Sequence, residues 1–277
     1  MTDFRQWTTA ISTNSMDFES LKHLKDCGID GIELSVKWMD CDKIAWEDFR
    51  KNADAAGIEI LSYHLPFSQK IHIASPDEEH RAKMVFYLKS MIEKACAVGI
   101  RRFVIHPSTE PISDEERPVL MAASKKSLAE LAQFADERGA VLCVEDLPRT
   151  CLGHTVDEMV ELVSADERLM VCFDVNHLLT IYGSTHREFV EKLGKRIVTT
   201  HLSDYDFMDE RHFFPGYGMI NWKEVVELLE EADYNGPFLY EGGFSPSAWM
   251  PEVPHGTYEM ARERHMTIKE LTGRSKM

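Results

Sequence analysis

The chain has no excess of positive charge: 31 Lys+Arg stand against 47 Asp+Glu, a formal net charge of −16 over 277 residues. Nucleic-acid and anionic-membrane binding rest on Lys and Arg neutralising phosphates. The balance therefore weighs against nucleic acid as a partner, unless a local basic groove survives it. No stretch approaches the roughly 18 consecutive apolar residues that a membrane-spanning helix needs. The opening Met1-Thr2-Asp3-Phe4-Arg5 lacks the basic-then-apolar order of a secretory leader, so the expectation is a cytoplasmic protein with no membrane partner. The six cysteines (Cys27, Cys41, Cys96, Cys143, Cys151, Cys172) include no CxxC pair. A chain of this size needs no disulfides to stabilise a core, and they read as reduced, mostly buried thiols. There is no strand–GxGxxG–helix fingerprint, P-loop, GxSxG or HExxH, which argues against the common nucleotide-binding, kinase, hydrolase and zincin chemistries. No linker rich in Pro, Gly or Ser divides the chain.

What is present is near the globular average, with 44% hydrophobic and 28% charged residues, and one pattern that recurs. An amphipathic helix ends in a glycine, and a short β-rich run follows: Cys27-Gly28-Ile29, Ala56-Gly57-Ile58, Val98-Gly99-Ile100, Arg138-Gly139-Ala140 and Asn235-Gly236. Glycine just past a helix takes the left-handed conformation that ends it. The runs that follow are nearly continuous in apolar residues, the mark of parallel strands covered on both faces. Strands are predicted at 7–11, 31–36, 59–64, 103–106, 141–145, 170–174, 197–201 and 238–241. Helices are predicted near 16–27, 43–56, 77–98, 114–138, 155–164, 184–194, 221–232 and 256–272, with Ser113 capping the fourth. Eight strand–helix units in this length fit an α/β fold of one domain over 1–277, a single (β/α)8 TIM barrel.

In such barrels the reaction site lies at the C-terminal ends of the strands. Strand three ends in Tyr63-His64, strand four in Ile105-His106 and strand five in Val144-Glu145-Asp146. Strand six ends in Asp174-Val175-Asn176-His177, strand seven in Thr200-His201, and strand eight in Tyr240-Glu241-Gly242-Gly243. Six consecutive strands thus deliver a carboxylate or an imidazole to one barrel mouth. Unpaired charge at such range is expensive to bury, and a bound cation removes the cost. Carboxylates suit Mg²⁺ or Mn²⁺, while imidazole brings in Zn²⁺, Co²⁺ or Fe²⁺. A loop after strand seven, Glu210-Arg211-His212-Phe213-Phe214-Pro215-Gly216-Tyr217-Gly218, returns to the same mouth. The remaining histidines, His23, His72, His80, His154, His186, His255 and His265, fall on helices or loops and read as structural.

With these motifs the sequence resembles the xylose isomerase-like barrel superfamily, which holds sugar phosphate isomerases and epimerases and the apurinic-site endonuclease branch. In its ketose 3-epimerases and inosose isomerases one Mn²⁺, Mg²⁺ or Co²⁺ is held by Glu, Asp, His and Glu. The resemblance implies that role for Glu145, Asp174, His201 and Glu241, and a substrate contact for His177 of the DxxH motif. The endonuclease branch carries two further metal sites. They match His64 and His106 with shared Glu145, and His177 with Glu210 and His212, although that branch has Asp where this chain has Glu210. One to three divalent ions per chain (Mn, Mg, Co or Zn) and a homo-oligomer are in keeping with the resemblance.

The function this implies is a divalent-metal-dependent isomerase or epimerase of a small sugar, sugar phosphate or cyclitol. A carbonyl would be polarised by the metal, and Glu145 and Glu241 would move a proton through an enediolate. His177, Arg149 and Arg211 are candidates for holding substrate, and Phe67, Phe214, Tyr217 and Trp249 for walling its ring. Three alternatives use the same site: a multi-metal phosphoesterase, a keto-sugar lyase or dehydratase, and a binding barrel without catalysis.

Overall fold

Near-continuous apolar runs cannot rest as half-exposed ribbons, and here they assemble into a ring with helices outside. The computed structural model describes residues 7–244, 255–261, 263 and 264. Eight parallel strands run in the order β7-β6-β5-β4-β3-β2-β1-β8: β1 (Thr9–Thr13), β2 (Gly31–Leu34), β3 (Glu59–His64), β4 (Arg102–Ile105), β5 (Val141–Glu145), β6 (Met170–Asp174), β7 (Ile197–His201) and β8 (Phe238–Tyr240). The ring closes between β7 and β8 through Leu202, whose N–H donates to Leu239 and whose carbonyl accepts from Glu241. The helices are α1 (Phe18–Asp26), α2 (Trp46–Ala56), α3 (Glu78–Ala97), α4 (Arg117–Asp136), α5 (Val156–Val163), α6 (His186–Leu193) and α7 (Trp222–Glu231). This is the TIM barrel expected from the sequence. No helix among the described residues is long and apolar enough to cross a membrane, and all six cysteines are free thiols, four of them buried.

Two boundaries differ from expectation for physical reasons. The first strand starts two residues late because the Trp7 indole N–H donates to the Tyr234 carbonyl and its ring packs edge-on against Tyr234, bending the chain there. Helix α4 begins at Arg117 rather than at 114. Pro118 has no N–H to give and fits only a first turn, so Ser113 and Glu116 bond each other in the turn before it. Gly57 takes the left-handed cap (φ 71°) as read. Gly236, by contrast, stays out of that region and is required by space, since a Cβ there would lie 2.5 Å from the Val198 carbonyl. Of the last predicted helix, residues 258–261, 263 and 264 are helical, and the remainder lies outside the described residues.

Period two along the strands sets what faces the barrel axis. His106, Glu145, Asp174 and His201 stand two residues beyond Val104, Cys143, Cys172 and Thr199. The first three of those pack together as a small apolar floor beneath the site.

Candidate metal centre

His64, Glu145, Asp174 and His201 are the last residues of β3, β5, β6 and β7, while His106 and Glu241 each follow the last residue of β4 and β8. Parallel strands in register therefore raise six donors to one level. Nδ1 of His201 lies 3.0 Å from Glu145 Oε1, 3.1 Å from Glu241 Oε2 and 4.0 Å from Asp174 Oδ2. One ligand atom of each of these four residues lies within 4.8 Å of the others. A second group adjoins it: His64 Nε2 and His106 Nε2 stand 3.0 and 3.2 Å from Glu145 Oε2. Glu145 thus offers one oxygen to each group. The loop after β7 brings a third, with His212 Nε2 2.7 Å and His177 Nε2 3.8 Å from Glu210 Oε1. His177 Nε2 also lies 3.5 Å from Asp174 Oδ2, which makes the three groups contiguous. The longer Glu210, standing where the endonuclease branch has Asp, still reaches both histidines.

The donor set fits divalent ions in two further respects. Three imidazoles are anchored through one nitrogen by a buried acceptor. His64 Nδ1–H donates to the Leu65 carbonyl (3.0 Å), His177 Nδ1–H to the Asp146 carbonyl (2.7 Å) and His201 Nε2–H to Glu33 Oε1 (2.8 Å). The opposite nitrogen of each then faces the cluster, the arrangement by which outer partners orient metal-binding histidines. Asp174 Oδ1 accepts from the Asn176 N–H, but its buried Oδ2 has no hydrogen-bond partner, and burying an unsatisfied carboxylate oxygen costs free energy that a cation would offset.

The electrostatics follow from this crowding. Burial alone would raise the Glu145 carboxyl, but the His201 and His106 imidazoles hold it well below the usual carboxylate range. Glu241, half-buried and opposed by His201, is held at about 2. For Asp174 burial wins over His177 and pushes the group up to about 7. Burial works against charge on His212, yet Glu210 raises it to about 9. Glu241 keeps 21% of its side chain exposed against 1% for Glu145. Of the two expected proton-transfer carboxylates, Glu241 is therefore the more open to solvent.

Beside Glu241 opens a cleft of about 580 Å³ lined by residues that include Ser12, Ser35, Trp38, Phe67, Gly242 and Phe244. Phe67, part of that lining, stacks on His106 with ring centroids 3.7 Å apart, so the cleft adjoins the cluster. Tyr217 is half-buried on Phe214. Phe214 itself is fully buried and belongs to the core rather than to a wall. Trp249 lies outside the described residues. The two arginines are already engaged: Arg149 bonds Glu110, Asp209 and Glu210 at 2.5–3.1 Å, and Arg211 pairs with Asp206 and Asp209. Arg149 orients Glu210 from behind.

Sequence reasoning missed Glu33 on β2, fully buried and bonded to His201 and Ser62. A signal was available, since a carboxylate flanked by Ile32 and Leu34 in a two-sided buried strand has nowhere to point but the barrel axis. It also passed over Asp204, whose carboxylate pins the loop carrying Glu210 and His212.

A parallel eight-stranded barrel with carboxylates and imidazoles gathered at its C-terminal mouth defines the class: a (β/α)8 barrel with a candidate metal centre. The chain belongs to the xylose isomerase-like TIM barrel family, whose model matches residues 21–257. An uncharacterized protein of Methanocaldococcus jannaschii is 31% identical over 196 residues, 68% of this chain and 66% of that protein, just short of two thirds of its length. A D-psicose 3-epimerase of Enterocloster bolteae is 26% identical over 247 residues, covering 82% of this chain and 79% of the enzyme. A probable endonuclease 4 of Shouchella clausii is 22% identical over 234 residues, 78% of either chain. Among solved structures, a D-tagatose 3-epimerase-like protein superposes with a TM-score of 0.77 at 22% identity, over 98% of this chain and all of that one.

Proposed function

We propose that the protein is a divalent-metal-dependent isomerase or epimerase of a small carbohydrate, working by proton transfer at the carbon beside a carbonyl. The observation that carries this reading is that Glu145 and Glu241 both approach one imidazole nitrogen, to 3.0 and 3.1 Å, next to a cleft of about 580 Å³. Glu145, Asp174, His201 and Glu241 would hold the ion. When bound, a divalent ion supplies a Lewis acid that polarises a carbonyl and offsets the negative charge that develops on its oxygen. Glu241, the more accessible carboxylate, takes the proton from the substrate carbon, and Glu145 serves the opposite face. Phe67 and Trp38 pack on the sugar ring and keep water from the reacting carbon. His177 Nε2 holds a hydroxyl. The kinship with a D-psicose 3-epimerase over most of both chains supports a ketose as substrate, and that with an inosose isomerase, 25% identical over 181 residues, supports a cyclitol.

The test is interconversion within a panel of ketoses and inososes by Mn²⁺- or Co²⁺-supplemented protein, with Glu241→Gln and Glu145→Gln beside it. General acid–base groups contribute about 10²- to 10⁴-fold, so each variant should lose at least 100-fold in kcat while folding normally. Full activity in Glu241→Gln would sink its assignment.

A second reading is favoured by one observation, the sharing of Glu145 between the His201 group and the His64/His106 pair. A carboxylate bridging two ions is suited to activating water on a phosphate ester, and the resemblance to a probable endonuclease 4 runs the same way. Cleavage of bis(p-nitrophenyl) phosphate without any epimerisation would put this reading first.

A further inference from the structure

A carboxylate buried in the middle of a barrel strand is costly unless something compensates it. Glu33 is such a group. It is fully buried on β2, between Ile32 and Leu34, lines no part of the cleft and is itself a member of none of the three donor groups described above. Its two oxygens are each spoken for. Oε2 accepts from the Ser62 hydroxyl at 2.7 Å, and Oε1 accepts from His201 Nε2–H at 2.8 Å. Ser62 stands two residues before His64 on the neighbouring strand, so the bond from Ser62 fixes the carboxylate from the side while its other oxygen meets the imidazole edge-on.

We propose that Glu33 is a positioning residue that fixes His201 with its Nε2 protonated and its Nδ1 lone pair aimed at Glu145, Asp174 and Glu241, and thereby tightens divalent-ion binding there. The proposal rests on the metal reading above. Its physical content is threefold. An ionised carboxylate can only accept, so the imidazole proton facing it must sit on Nε2. The ring cannot turn without breaking a charge-assisted bond. The negative charge behind the ring makes Nδ1 a stronger donor toward a cation, and outer partners of this kind are worth about 10- to 100-fold in metal affinity. A neutral side chain of the same shape could satisfy Ser62 and the ring N–H at lower desolvation cost. A charged group at this place therefore adds something that packing alone does not require.

The test uses the full chain depleted of metal, with Co²⁺ as probe, in wild type, Glu33→Gln and Glu33→Ala. Glu33→Gln keeps the shape and an acceptor for Nε2–H but removes the charge, and it guards against failure of the alanine variant to fold. The Co²⁺ dissociation constant, measured by competition with a chelator, should weaken about 10- to 100-fold in Glu33→Ala and by a smaller factor in Glu33→Gln. The melting temperatures of the metal-free proteins serve as the structural control. In the Co²⁺-loaded state the alanine variant should also lose one exchangeable, hyperfine-shifted imidazole N–H resonance that wild type shows. Unchanged affinity and an unchanged resonance in both variants would overturn the proposal. Wild type that binds no Co²⁺ would instead overturn the metal reading beneath it.

Discussion

At the scale of single residues, the site balances carboxylates with imidazoles rather than with Lys or Arg, and the choice has consequences. An imidazole can yield its proton to a cation near neutral pH, whereas a guanidinium cannot. In the metal-free protein Glu145 raises His64, and Asp174 and Glu210 raise His177, each against the opposing effect of burial. His212 stands at about 9 and Asp174 at about 7. Groups raised in this way keep their protons to higher pH than they otherwise would, and a divalent ion must displace them. Apparent affinity for Mn²⁺ or Zn²⁺ should therefore rise from pH 6 to pH 9, with protons released on binding. Titration calorimetry in buffers of different ionisation enthalpy measures that release, and pH-independent affinity would contradict it. Two non-glycine residues near the site carry left-handed backbone, His212 (φ 49°) and Arg149 (φ 55°), at a cost of about 1 kcal/mol or more each. Both are held there by Glu210, which bonds His212 on one oxygen and Arg149 on the other.

At the scale of elements, the third donor group depends on the long loop between β7 and α7, and that loop depends on Asp204. Its fully buried carboxylate accepts from the N–H groups of Tyr205, Gly216 and Ile220 and from the Trp222 indole at 2.8–3.0 Å. Gly218 packs so close that a Cβ would lie 2.3 Å from Asp204 Oδ1, which makes glycine obligatory by space alone. Asp204→Ala strands four donors, three of them in buried bonds, and should lower the unfolding free energy by about 3 kcal/mol or more, read by chemical denaturation. It should also weaken binding at His177/Glu210/His212 before it affects the His64/His106 pair. Equal weakening of both groups would show that the loop is not the element Asp204 governs. The loop's path was hidden in the sequence because its organiser is one polar side chain serving partners up to 18 residues away. The strands were legible because burial on both faces writes an unbroken apolar run. Six of the candidate site residues were legible with them, since a strand's last inward position follows from its period. Glu33 sits one strand further round, where no motif marks it.

At the scale of the whole molecule, a net charge of −16 and two mouth arginines already tied to carboxylates leave little to neutralise a phosphate backbone. The protein should show no retention on duplex DNA at about 0.15 M salt, where binding falls steeply with each missing phosphate contact. Metal-dependent retention in a gel-shift assay would contradict this and move the phosphoesterase reading forward. The barrel itself is neutral on the question, because one scaffold hosts many chemistries. What decides is whether a carbon-bound proton moves. The most direct measurement is solvent deuterium incorporation, by NMR, into ketoses and inososes incubated with the Mn²⁺-loaded protein in D2O. The account predicts deuterium at the carbon beside the carbonyl of one substrate, abolished by chelator and by Glu241→Gln. Full retention of protium across the panel, with Mn²⁺ bound and phosphate-ester cleavage present, would contradict it.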